Sequence, residues 1–130
     1  MSRAQDALAR ILQLCSWTVG GIWIYQGLVP KLLGPHADEI AMSTAFGIPA
    51  SMQAPISYAA GAAEIVFGLL VLVFSQRAWP HILSATAMAV LLIFVALYAP
   101  HFLAGAFNPV VMNIASLSLS LAALLAYRGM

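Results

Sequence analysis

The sequence predicts an all-α membrane protein: a four-transmembrane-helix bundle with a long outer loop between the first and second helices. Three observations predict it. Of the 130 residues, 63% are hydrophobic and only 7% are charged, whereas a soluble domain carries roughly 25% charged residues on a surface that faces water. The remaining apolar surface must face lipid. Four apolar stretches are each long enough to cross the hydrocarbon core, which takes about 17 to 25 helical residues. Finally, the lysine and arginines fall unevenly on the two sides that four spans would define.

The first span is read over 11–29, with Arg3 and Arg10 before it and Pro30 at its end. Its basic front resembles that of a signal peptide. The apolar stretch is long, however, no A-x-A site follows, and Gln26 and Lys31 stand where cleavage would fall, so a retained helix is expected. The second span, 57–75, is interrupted by one charge, Glu64. The third covers 82–98 and starts just after Pro80. The fourth, 110–127, opens with Asn108-Pro109. There the Asn side chain can satisfy a free backbone N–H, and Pro has none to satisfy. A single domain over 1–130 leaves no residues for a second.

Four spans put the N-terminus, the connection between spans two and three, and the C-terminus on one side. That side holds Arg3, Arg10, Arg77 and Arg128, against Lys31 alone on the other. The bias predicts that both termini are cytoplasmic, in a cell inner membrane. The outer loop from Pro30 to Pro55 is longer than a passive connection usually needs. Within it, 38–46 is expected as a short amphipathic helix, with Ile40, Met42 and Phe46 on its buried side and Asp38 and Glu39 at its favourable N-terminal end. The sequence leaves open whether this helix caps the bundle or rests on the membrane surface.

Composition also excludes several functions. A net charge of +1 and the lack of any basic run give no reason to expect nucleic acid. The single cysteine, Cys15, excludes an internal disulfide, a CxxC redox pair and a Cys-rich zinc site. No nucleophile–base pair or haem-ligation pattern is visible, so an autonomous enzyme is not expected.

Glu64 is the most informative residue. It lies about 10 Å below the outer end of its span, and a bare carboxylate at the bilayer centre costs roughly 2.5 to 3.5 kcal/mol. It should face the bundle interior, either paired or neutral. Gly61 and Gly68 share its helix face and would let another helix approach closely. The simpler reading of Glu64 is a polar peg bonded across the helices. Lys31 is the candidate counter-charge, although snorkelling to the headgroups would explain it equally well. On the fourth span Asn113 shares a face with Ser116 and Ser120. The last two are read as packing residues, while Asn113 could reach Glu64. Gln26, Asn108, Trp23, Tyr58, Tyr98 and His101 gather in the same outer half. His36 and His101 have no fixed spacing, so surface histidines are expected and no metal site. His81 is read as belonging to no cluster, and the inner half of the bundle as nearly featureless.

Several of these residues carry a resemblance. The stretch from Trp23 to Leu32, with Gly27 ahead of Lys31, resembles the first-helix motif of DoxX-like membrane proteins. Gly61-Ala62-Ala63-Glu64 with Gly68 is similar to their second-helix pattern. Phe107-Asn108-Pro109 and Asn113 resemble the fourth-helix start of the subgroup often called DoxX-like family three. The resemblance spans nearly the whole chain and implies a four-helix membrane protein. The wider family includes a subunit linked to thiosulfate:quinone oxidoreduction, partners of membrane redox complexes, and proteins that assist other membrane proteins. It therefore implies an accessory subunit of membrane redox metabolism. An outward-facing pocket around Glu64, with Lys31, Gln26, Asn108, Asn113, Trp23, Tyr58, Tyr98 and His101, would bind a lipophilic molecule such as a quinone, and Gly27, Gly61 and Gly68 would serve packing. The expected partners are the bilayer, a membrane redox protein and further copies of the chain. The alternative is a binding or assembly factor without chemistry. A third reading, a small transporter, would need oligomers.

Overall fold

A computed structural model describes residues 1–105 and 109–130. Its elements are α1 (Arg3–Gly27), a π-helical turn (Leu28–Leu32), α2 (Ala37–Ala45), α3 (Ala50–Val73), α4 (Trp79–Tyr98), a 3-10 turn (Pro100–Ala104) and α5 (Pro109–Gly129). Four of these, α1 with its π turn, α3, α4 and α5, are long and apolar enough to cross a membrane. Among the described residues every regular element is helical, and the chain is a multi-pass four-helix membrane protein.

The helices outrun their apolar stretches because their ends are amphipathic. α1 starts at a capping box: Ser2 Oγ accepts from the Gln5 backbone N–H at 3.2 Å, and Gln5 Oε1 accepts from the Ser2 N–H at 3.0 Å. Two orphan donors are thereby satisfied, and the helix runs in through Arg3 and Arg10. Leu12 and Cys15 turn inward onto Ala123 and Ala126 of α5. α4 begins at Trp79 with Pro80 in its first turn, where a missing N–H costs nothing.

The long outer loop expected between Pro30 and Pro55 is largely helical instead. Only 33–36 and 46–49 are irregular. Pro30 cannot donate to the helix ladder and its ring would crowd the preceding turn. The chain answers by widening into the π turn, with the Leu33 N–H bonding back to Leu28 O at 2.8 Å. Pro55 lies inside the second turn of α3, where it forfeits one bond, to the exposed Ser51. The short helix expected over 38–46 is α2. Met42 and Phe46 face the bundle, Phe46 packing on Phe94 and Tyr98 at ring distances of 5.2 and 5.6 Å. Ile40 and Phe46, both expected on the buried side, are 41% and 56% exposed, Phe46 despite its ring contacts.

The termini and the 74–78 turn share one end, the terminal end, where Gln5 Nε2 donates to Met130 O. α2 and the 3-10 turn occupy the other, the capped end. In space the helices run α3–α1–α5–α4, with α1 packed on both α3 and α5; α3 and α4, though joined by a short turn, barely touch. Val19, Trp23, Val71 and Met88 form the central core. α1 and α3 cross on two pairs of glycines. A Cβ at Gly61 would meet Gly27 O at 2.6 Å, and one at Gly68 would meet Gly20 O at 2.7 Å. Only glycine permits this approach. The outward faces are apolar, Val73, Leu97 and Leu125 each standing at least 70% exposed, as lipid contact requires.

Candidate functional site

The crossing at Gly27 and Gly61 builds the site. Gly61 brings α3 so close to α1 that its missing Cβ would fall 2.9 Å from Lys31 Cβ. The π turn then carries Lys31 over the mouth of the bundle and back toward α3. Glu64, one turn beyond Gly61, meets it: Lys31 Nζ lies 3.2 Å from Glu64 Oε2. The same ammonium donates to Glu39 Oε1 of α2 at 3.1 Å. The three side chains are between 13% and 19% exposed, so the cation is largely shared by two carboxylates away from water. The contact with Glu39 has hydrogen-bond geometry. The contact with Glu64 is an ion pair outside it, leaving Glu64 Oε2 buried without a hydrogen bond among the described residues.

Beside this triad opens a cavity of about 360 Å³. Its floor is Trp23 and Met88; its sides are Ala60 and Glu64 of α3, Leu91, Phe94 and Val95 of α4, and Pro109 and Asn113 of α5. Met42, Ser43, Phe46 and Ile48, from α2 and the turn after it, roof it over. The cavity occupies the space where α3 and α4 fail to pack. Its walls are mostly apolar, and its charged lining consists of Lys31, Glu39 and Glu64. A second cavity, about 470 Å³, lies on the other side of Gln26 and Glu39 and is lined by His36, Asp38 and Phe102 among others.

The structure brings together Trp23, Gln26, Lys31, Glu64 and Asn113 of the residues expected from sequence, all around the first cavity. Gln26 Nε2 also donates to Met112 Sδ at 2.9 Å. Three expected residues lie elsewhere. Tyr58 donates to Gly34 O at 3.2 Å and braces the chain before α2. Tyr98 lies behind Phe46. His101 packs on Phe102 in the 3-10 turn, its ring centroid 4.4 Å away. For all three, the distance in sequence from a span end gives the depth in the bundle but not the helix face. Asn108 falls outside the described residues. Among the described residues no three His, Cys, Asp or Glu side chains converge as metal ligands.

Two participants escape sequence reasoning. Glu39 stands there only as a helix-end charge, although an acidic residue eight positions after a lone outer lysine is a usable signal for a short fold-back. His81, expected to stand alone at the cytoplasmic edge, is fully buried, with Nε2 2.8 Å from Ser16 Oγ. Trp23 Nε1 donates to the buried Ser84 at 2.9 Å. The terminal half of the bundle is not featureless.

A model of the DoxX-like family matches residues 20–121. No curated protein and no solved structure matches the chain.

Proposed function

The chain belongs to the DoxX-like family, and from that premise we propose that it binds a lipophilic small molecule, such as a quinone, as an accessory subunit of membrane redox metabolism. The observation that carries this reading is the cavity beside Glu64. Apolar walls with a few convergent polar groups are what a ligand site of this kind needs. Lys31 would donate to a ligand carbonyl, and Glu64 would accept from its hydroxyl or take up a proton. The narrow contact between α3 and α4 supports entry from the bilayer between them, which suits a molecule dissolved in lipid. Arg3, Arg10, Arg77 and Arg128 all lie toward the terminal end, so the positive-inside bias supports cytoplasmic termini in an inner membrane, with the capped end outward.

A second reading follows from the same gap. A helix of another membrane protein, or of a second copy, would fill the space between α3 and α4 and make the chain an assembly partner. The test is mass spectrometry of what co-purifies from native membranes, comparing wild type with Glu64→Gln at matched folding. A quinone-like molecule present in the wild type and depleted in the variant supports the ligand reading. The same protein partner with both, and only bulk lipid besides, overturns it in favour of assembly.

A further inference from the structure

The buried polar groups of the terminal half leave one acceptor unanswered. Ser16 Oγ lies 2.7 Å from Leu12 O and 2.8 Å from Ser75 O. Both are acceptors, and a hydroxyl has one hydrogen to give them. With that hydrogen given to a carbonyl, the contact with His81 Nε2 at 2.8 Å runs the other way, Nε2–H donating to Ser16, and this is the tautomer we take. No carboxylate pairs with His81 among the described residues, and an unpaired charge in this interior is costly. The ring is neutral, so its Nδ1 carries a bare lone pair. That atom is fully buried with no partner among the described residues, as are the hydroxyls of Ser116 and Ser120.

These groups line up. Ser84 follows His81 by three residues on α4, about 4.5 Å along the axis, and its oxygen accepts from Trp23. On α5, Ala123 packs with Leu12 and Cys15, which places Ser120, one turn outward, level with Ser16. Ser116 and Asn113 continue the same face outward, and Asn113 lines the cavity. Polar atoms thus extend from His81 toward the cavity floor through an otherwise apolar core. Buried hydroxyls and an imidazole acceptor without protein partners are the setting in which internal water is held.

We propose that ordered water fills this line, bonded to His81 Nδ1 and to the hydroxyls of Ser84, Ser120 and Ser116, and reaches the cavity at Asn113. The column links the terminal end to the pocket from the side opposite its roof. Where the pocket ligand takes up protons, this water would deliver them; that use rests on the reading above, whereas the water itself does not.

The test is solid-state NMR on protein in liposomes of protonated water and deuterated lipid. ¹⁵N-histidine labelling is applied in the background His36→Gln/His101→Gln, which leaves His81 as the observed ring. The expected result is the Nε2–H tautomer, with magnetisation passing from water to Nδ1, and at least a twofold slower transfer in Ser120→Val or Ser84→Ala. An Nδ1–H tautomer, or a ring that receives no magnetisation from water, overturns the proposal. Should one serine variant fail to fold, the other and the wild-type tautomer still decide it. Because no ligand is added, a failure here leaves the ligand reading standing, and loss of the co-purifying ligand leaves the water column standing.

Discussion

The two ends of the bundle solve the same problem in different ways. At the capped end an ammonium is shared between two carboxyl groups, Lys31 standing between Glu39 and Glu64. Toward the terminal end the polar groups are uncharged: His81 bonds to Ser16, and Ser84 accepts from Trp23, which reaches down from the cavity floor. The capped end has a cavity and a long lysine side chain that can follow a ligand. The terminal end is packed against Leu12, Val19 and Val71, each fully buried, where an ion without a partner could not be tolerated. Within the bundle, charge is thus kept where a counter-charge is brought from another helix, and serine and histidine are used below it.

The contrast between the ends breaks most readily at Lys31. Lys31→Met leaves two carboxylates facing one another, and losing one partner of a buried pair costs about 3 to 5 kcal/mol. Denaturant titration in bicelles should show a loss in that range, and Glu64→Gln in the same chain should recover most of it. A loss no larger than that of a surface lysine would mean the triad is ornamental. Gly61→Leu tests whether the helix crossing places the triad. Overpacking there should cost about 1 to 3 kcal/mol and also abolish any coupling between Lys31 and Glu64 in a double-mutant cycle. Coupling that survives would show that the π turn alone positions Lys31.

At the neutral end the expected effects are smaller. Ser16→Ala removes the acceptor of His81 Nε2–H and should destabilise by about 1 to 3 kcal/mol, with no change in Lys31–Glu64 coupling. Trp23→Phe keeps the aromatic contact with Phe67, whose ring lies 5.0 Å away, and loses only the bond to Ser84. A cost of about 1 kcal/mol is expected. If Trp23→Phe instead cost as much as Lys31→Met, the two ends would not differ in how they hold their polar groups.

Much of the fold was legible because lipid imposes one rule on long stretches: the four spans follow from apolar runs alone. Their ends were not, since Arg3 to Arg10 follow a capping box and Ala50 to Ile56 form a mostly exposed first part of α3, and neither leaves an apolar run behind. Pro30 and Pro55 read as breaks because the sequence does not reveal a π turn or an exposed second turn that absorbs them. In the site, Glu64 was visible as a charge out of place, and Lys31 as its candidate partner. Glu39 and His81 were not visible, because their roles depend on α2 folding back and on Ser16 lying beneath the 74–78 turn. These are contacts between distant segments, with no local period to announce them.

The order α3–α1–α5–α4 also has a consequence for biosynthesis. α1 leaves the ribosome before either of the spanning helices, α3 and α5, that it packs against. Until α5 emerges, Leu12 and Cys15 lack Ala123 and Ala126, and the cavity lacks the Asn113 wall. The nascent chain must hold a half-packed α1 in the bilayer until α5 has been made. A stop before Pro109 should therefore yield an inserted but protease-sensitive protein rather than a smaller stable one, a difference that limited proteolysis of truncated chains in membranes would register.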